Sequence, residues 1–435
     1  LETKPEARQS IRSRSKGRPK GRQREETMVH SSFHWPAAIC LVLAMSAAPA
    51  AAQTAGGAVS LSGGKVKVGV LTDIAGPTAL ANGKGSVIAA EMAAEDFGAG
   101  LNVEVISADH GGKPDLGSQI AARWFDVEGV DAVADMQGSP IGFAVQNLAA
   151  QKSKIMLLSG STSSDFNGKA CSPLTVQWTV DTYNLAKGAA KSVIETSSTR
   201  WYFLTVDQAY GHALTRDTSE QVKLNGGQVV GNSVFPPNTS DFASFLLTAS
   251  NAGANVIAIA ASSGDTVTAL KQADEFGLSA KAKIIPLQSV LTDIYAVGLK
   301  IAHDAYEVSP FYWDRTPETR AWAERFYAKA KIMPTSFHAG VYSSVAHYLK
   351  AVKATGTDEA PTVMKQMEKE RVHDFFAADG YIRADRKMIH DMYLLQVKKP
   401  GENKGDWDLY NVVQTLPGEA VNRPLSESAC PLVKK

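Results

Sequence analysis

The sequence predicts an α/β protein made of two open parallel-sheet units that share a C-terminal tail. Three observations predict it. Short β-branched runs alternate with amphipathic helical patterns from residue 65 onward. The alternation pauses at residues 178–183, WTVDTY, which lack helical periodicity, and then begins again. The last third departs from it, with long helices followed by strands. Alternation of this kind argues for parallel sheets with helices on both faces.

Residues 65–83, KVKVGVLTDIAGPTALANG, open the first unit. Val66, Val68 and Val70 form a strand that stops at Thr72 and Asp73, and a turn follows at Gly76 and Pro77. A helix is predicted over 87–97, a strand over 103–106 and a helix over 114–125, where Ile120, Ala121 and Trp124 recur at helical spacing. A strand over 132–134, a helix over 141–150 and a strand over 155–158 complete the unit. In open α/β sheets ligands bind outside the carboxyl ends of the strands, so the loops after these strands are the candidate site.

The second unit repeats the order. Helices are predicted over 185–194, 211–224, 242–252 and 265–276, and strands over 201–206, 229–234, 256–260 and 284–287. Asn225, Gly226 and Gly227 close one helix as a C-cap. Ser240 and Asp241 begin another as an N-cap. In the tail, residues 306–311 read as extended, 317–331, 338–355 and 361–370 as helices, and 380–383, 392–397 and 410–413 as strands. This tail is too small for a third domain. Its helices are expected to return to the first lobe and its strands to cross to the second, giving a hinged pair with a cleft.

Residues 37–48, AAICLVLAMSAA, are apolar but too short to span a bilayer. Ala50 and Ala52 stand as an A-x-A cleavage site before Gln53, so residues 28–52 are predicted to be a secretory signal peptide. Met28 is the expected start, which leaves 1–27 as a basic, disordered or non-native leader. Cys40 begins the apolar run instead of following small residues at its end, so no lipid anchor is expected. After cleavage Cys171 and Cys430 remain, a candidate disulfide in an exported chain, with two buried thiols as the alternative. Such a bridge would contribute roughly 4–5 kcal/mol in the chain-entropy model. Lys and Arg number 45 against 44 Asp and Glu, a balance that favours neither nucleic acid nor a membrane surface as partner.

Several chemistries are absent from the sequence. There is no G-x-x-x-x-G-K-[ST], no G-x-S-x-G and no H-E-x-x-H. Gly83-Lys84-Gly85 is half of a dinucleotide fingerprint without its third glycine. The histidines are scattered, and no Cys/His cluster suggests zinc, so neither cofactor nor metal is expected.

What recurs instead is a polar, glycine-rich loop after strand upon strand. Gln137-Gly138-Ser139-Pro140 and Ser159-Gly160-Ser161-Thr162 follow strands of the first unit. Gln208-Ala209-Tyr210-Gly211, Ser262-Ser263-Gly264-Asp265 and residues 288–293, QSVLTD, follow strands of the second. Exposed amides, helix N-termini and hydroxyls make a carboxylate cradle without a formal cation. The ordinary reading is capping, since Ser139, Thr162 and Asp265 each precede a helix.

GVLTDIAGPTA, the GSP loop, SGSTSSDF, DQAYGHA and FPPNTSDFASFL together resemble the periplasmic binding proteins of branched-chain amino acid ABC transporters, over nearly all of residues 65–435. The resemblance implies a type I periplasmic binding fold, with two Rossmann-like parallel-sheet lobes joined by three crossover segments around a ligand cleft. Residues 65–180 and 310–374 would form lobe I, and 181–309 and 375–435 lobe II. It implies that Ser139, Gly160, Ser161 and Thr162 hold a ligand carboxylate and that Tyr210 covers the ligand. The family's acid for an amino group would fall within 288–293, where the usual Glu is missing and Asp293 is the remaining candidate. Gln137, Tyr183, Asp265 and Asp293 complete the candidate set. Trp178, Tyr183, Phe311, Tyr312 and Trp313 cluster at the expected hinge, either as core or as a wall for an aromatic ligand. The expected function is capture of a small carboxylate (an amino acid, aromatic acid or 2-oxo acid) by a monomer in the periplasm, for an inner-membrane ABC permease. Catalysis is not expected. A periplasmic sensing module for a signalling partner is the alternative.

Overall fold

The computed structural model describes residues 60–194 and 199–434. The expected leader and signal peptide lie outside the described residues. In chain order the first lobe holds β1 (Val66–Thr72), α1 (Gly83–Phe97), β2 (Val103–Asp109), α2 (Pro114–Arg123), β3 (Ala132–Asp135), α3 (Ser139–Gln151), β4 (Ile155–Leu158) and β5 (Thr175–Gln177). The five strands pair in parallel in the order β2-β1-β3-β4-β5. Six of the seven residues of β1 are buried, as a central strand covered on both faces requires. Helix α1 starts at Gly83, ahead of the predicted residue 87. Its first turn, GKGS, has no apolar periodicity, yet Gly85 packs directly on His338. Strand β5, three residues long, is too short to give a sequence signal.

The second lobe holds α4 (Thr182–Ile194), β6 (Arg200–Val206), α5 (Ala209–Leu224), β7 (Gln228–Phe235), α6 (Ala243–Asn251), β8 (Val256–Ala260), α7 (Ser263–Glu275), β9 (Lys283–Pro286), α8 (Leu291–Val297), α9 (Leu299–Ala302) and β10 (Tyr306–Ser309). Four strands form a second parallel sheet, β7-β6-β8-β9. The tail contributes α10 (Pro317–Ala330), α11 (Ser336–Thr355), α12 (Ala360–Lys369), β11 (Tyr381–Ile382), β12 (Met388–Ile389), β13 (Met392–Val397), β14 (Tyr410–Leu416) and α13 (Gly418–Val421). β10, β13 and β14 make a separate antiparallel sheet in the second lobe.

Packing decides how the tail is shared. Trp322, Phe326, Val345, Val363 and Met367 from α10, α11 and α12 join Val68, Val70 and Ala89 in the first lobe's core. Leu395, Val397 and Tyr410 join Leu204, Ile257 and Ile259 in the second. The expected lobe boundary at 374/375 falls too early. Phe376, Ile382 and Met388 are buried in the first lobe's core, and Gln177 of β5 pairs with Lys387, so the crossing to the second lobe comes at 390–391. The last residues depart from the expected assignment too. Ser428 Oγ donates to Asn167 O at 3.4 Å, and Cys430 is disulfide-bonded to Cys171, with 5.5 Å between Cα atoms. The C-terminus therefore returns to the first lobe. Among the described residues no helix is long and apolar enough to cross a membrane.

Several ionisable groups are buried in this frame. Glu307 on β10 accepts from Ser289 Oγ at 3.3 Å and from Tyr410 OH. Burial pushes Glu307 up to about 8 and Asp293 up to about 7. Burial pushes His338 and His390 down to about 4.

Two predictions follow from these features. Cys171→Ser with Cys430→Ser removes a cross-link spanning 259 residues and should lower stability by about 4 kcal/mol, read by denaturant titration of both proteins. The native state keeps protons on Glu307 and Asp293 that the unfolded chain has released, so these acids make stability fall with rising pH up to about 8. The buried histidines oppose this only below their ordinary 6.5. Melting temperature should therefore fall between pH 6.5 and 8, and Glu307→Gln should flatten that fall.

Candidate functional site

The carboxyl ends of β3 and β4 are fastened to each other. At the end of β3, Asp135 and Met136 have φ of 74° and 47°, and Gly138 follows at 90°. These left-handed positions turn the chain sharply from β3 into α3. The Asp135 carbonyl accepts from Ser159 N at 3.3 Å and from Gly160 N at 3.0 Å, and Gly138 N donates to Gly160 O at 3.2 Å. Ser161 Oγ donates to Met136 O at 2.6 Å, and Ser163 N to Ser139 Oγ at 3.0 Å. The two loops thus form one rigid wall. Gly160 is needed for close approach, since a Cβ there would lie 2.7 Å from both Asp135 Oδ1 and Gln137 Cα. The Asp135 carboxylate accepts from Asn82 Nδ2 at 2.8 Å, and burial pushes its pKa up to about 6.

The capping reading does not hold for Ser139 and Asp265. Ser139 is the first residue of α3, and its hydroxyl serves Ser163 instead of its own helix. Asp265 Oδ2 accepts from Asn238 N at 3.2 Å, in the loop after β7. The backbone N–H groups of Ser161 and Thr162 have no acceptor among the described residues. The Ser139 N–H, at the start of a helix, has no intrahelical acceptor either. Unspent amides therefore collect at the ends of β3 and β4.

The second lobe closes over this wall. Thr162 Oγ1 donates to Gln288 Oε1 at 3.2 Å, a direct bond between lobes. A cavity of about 90 Å³ lies between them, lined by Asp73, Thr78 and Gln137 on one side and Tyr210, Ser262 and Asp265 on the other. Tyr210 OH donates to Ser262 Oγ at 3.0 Å, and burial pushes the phenol's pKa upward. Asp73 is occupied within its own turn, accepting from Gly76 N at 2.9 Å and from Thr78 N and Oγ1 at 3.0 and 2.6 Å. No Lys, Arg or His is among the lining residues. Among the described residues no cluster of His, Cys, Asp and Glu could hold a metal ion.

Of the residues singled out in the sequence, Gln137, Tyr210 and Asp265 line the cavity, and Ser139, Gly160, Ser161 and Thr162 build the wall beside it. Two are not among the lining residues. The Tyr183 ring is covered by the Arg423 guanidinium at 4.1 Å and the Lys187 ammonium at 5.8 Å, away from the cavity. Asp293 Oδ2 accepts from Val290 N at 3.1 Å and caps α8. Gln288 is the residue of that loop that reaches Thr162. The resemblance pointed to Asp293 within the same span, 288–293, and not to Gln288. The signal that could have singled out Gln288 is its place just after β9, the strand-end position shared by the other site loops.

The sequence matches the profile of a family described as periplasmic binding protein over residues 65–405. The chain belongs to the periplasmic binding protein family. It has the type I fold of that family, and it is a solute-binding protein of the kind that serves ABC transporters. A periplasmic binding protein from Burkholderia mallei is 40% identical, with 86% of this chain and 100% of that chain covered and a TM-score of 0.84. A branched chain amino acid ABC transporter periplasmic ligand-binding protein from Burkholderia xenovorans is 36% identical, with coverage of 85% and 100% and a TM-score of 0.76. A solute binding protein of an ABC transporter from Rhodopseudomonas palustris, in complex with 3,4-dihydroxy benzoic acid, shares the fold at 20% identity, with coverage of 81% and 98% and a TM-score of 0.73. No curated protein matches this chain. Proteins of this class bind and release their solutes; they are not enzymes.

The wall of this binding protein makes a clear prediction. Gly160→Ala should cost about 1–3 kcal/mol of stability, because a backbone atom stands in the way, and should abolish ligand binding. Denaturant titration and calorimetry of the same preparation would check both effects.

Proposed function

We propose that this protein is the periplasmic component of an ABC importer and captures a small carboxylate that carries no ammonium group. It acts as a monomer, exported by its signal peptide, and presents the closed, loaded form to an inner-membrane permease. The observation that carries this reading is the donor set. Unspent N–H groups of Ser139, Ser161 and Thr162 suit a carboxylate, and the neutral Gln288 amide stands where an ammonium would need an acid. Asp73 and Asp265 do not replace that acid, because their carboxylates are taken up by neighbouring backbone N–H groups. Relatives of this fold bound to benzoate and 4-hydroxybenzoate fit the same requirement. The cavity is small, so binding involves hinge opening and closure, and affinity for the closed state supplies the shift.

Isothermal titration with benzoate, 4-hydroxybenzoate, 4-methyl-2-oxopentanoate and leucine tests the reading. At least one of the three acids without an ammonium group should bind more tightly than leucine; the reverse order for all three would overturn it. Gln288→Glu places a negative charge beside Thr162 and should weaken the preferred acid at least about tenfold, measured by the same titration.

A further inference from the structure

One fully buried carboxylate outside the cavity joins the two lobes. Asp217 lies on α5 in the second lobe. Its Oδ2 accepts from Ser164 Oγ at 2.7 Å and from Thr182 Oγ1 at 2.6 Å. Its Oδ1 accepts from Arg216 Nε at 3.0 Å, and Arg423 Nη2 stands 3.5 Å away. Thr182 opens α4 in the same lobe as Asp217. Ser164 belongs to the first lobe and continues the loop that carries Ser161 and Thr162. Arg216 repeats the connection, with Nη1 donating to Asp165 Oδ1 at 3.2 Å and Nη2 to Ser164 Oγ at 2.8 Å.

The segment 161–165 is thus pinned from both sides. Ser161 and Ser163 are bonded to the β3 loop of their own lobe, and Ser164 and Asp165 to α5 of the other. If α5 moved away, the Ser164–Asp217 and Arg216–Asp165 bonds would break together. Asp217 would keep Thr182 but lose one of its two hydroxyl donors while still buried, which opposes opening.

We propose that Asp217 and Arg216 form a closure latch, a positioning pair in the second lobe that orders the first lobe's ligand loop as the lobes close. This rests on the reading of the cleft as the solute site. Neither residue lines the cavity; both act through the loop. Closure and loop order become a single event, so a solute that engages the Ser161 and Thr162 amides favours the latched state. By linkage the latch strengthens the hold on the solute.

Ser164→Ala removes one hydroxyl and keeps the buried carboxylate, and Asp217→Asn removes the charge. Amide hydrogen exchange over residues 159–168 of the protein without added solute is one readout, and stopped-flow binding of 4-hydroxybenzoate is the other. Both variants should speed exchange in that segment about tenfold while exchange in β1 and β3 stays as in the parent protein. They should raise the dissociation rate about tenfold with the association rate little changed. Unchanged exchange over 159–168, or faster exchange spread over the whole protein, would overturn the latch. If Asp217→Asn fails to fold, Ser164→Ala decides alone. If the parent protein does not bind 4-hydroxybenzoate, the choice of solute fails, and the exchange measurement still decides the latch.

Discussion

The segments that join the two lobes are held side by side by the buried Lys387. Its ammonium donates to Thr179 O at 2.7 Å and stands 3.6 Å from Asp181 Oδ2. Three residues on, His390 Nε2 lies 3.2 Å from Trp178 O and 3.3 Å from Thr179 O. Gln177 N donates to Arg386 O at 2.9 Å. The first crossing and the one at 390–391 are therefore one bonded unit. Burial lowers the pKa of Lys387, and the carboxylates of Asp181 and Asp385 work in the other direction. A buried ammonium is costly unless paired and hydrogen-bonded, and here the Asp181 carboxylate and the Thr179 carbonyl supply the pair and the bond.

With the hinge fixed, the site is set by the backbone more than by side-chain charge. Two successive non-glycine residues at positive φ, Asp135 and Met136, are expensive, at roughly 1–3 kcal/mol each. They persist because the bonds between the β3 and β4 loops over-determine the turn. The strain sits beside the unspent amides of Ser161 and Thr162. A neutral cradle of amides and hydroxyls, preorganised by two strand ends, suits the carboxylate proposed above without a buried cation.

The second lobe meets the first through a few polar contacts. Tyr210 and Ser262 bond to each other at the cavity wall, Gln288 meets Thr162, and Asp217 reaches Ser164. Each is a polar contact made by a strand-end loop or by the helix that follows one. The disulfide between Cys171 and Cys430 fastens the chain's end to the first lobe, so the tail from Arg423 onward lies across both.

The sequence by itself determined the class of the molecule. Alternation of β-branched runs and amphipathic helices has a periodicity that survives any packing, and it placed the parallel sheets and the loops Gln137–Ser139 and Ser159–Thr162 at strand ends. Two cysteines after the expected signal peptide pointed to the bond between Cys171 and Cys430. The tertiary structure alone decided which polar residues meet. Gln288, not Asp293, reaches Thr162, because Asp293 is spent on the first turn of α8. Tyr183 lies under Arg423, from a segment far away in the chain. The strand β5 is too short to carry a pattern, and its place in the first lobe, like that of the hairpin β11–β12, comes from long-range packing. Local periodicity encodes elements and their ends, but which side chain faces which across a cleft depends on contacts between residues more than a hundred positions apart.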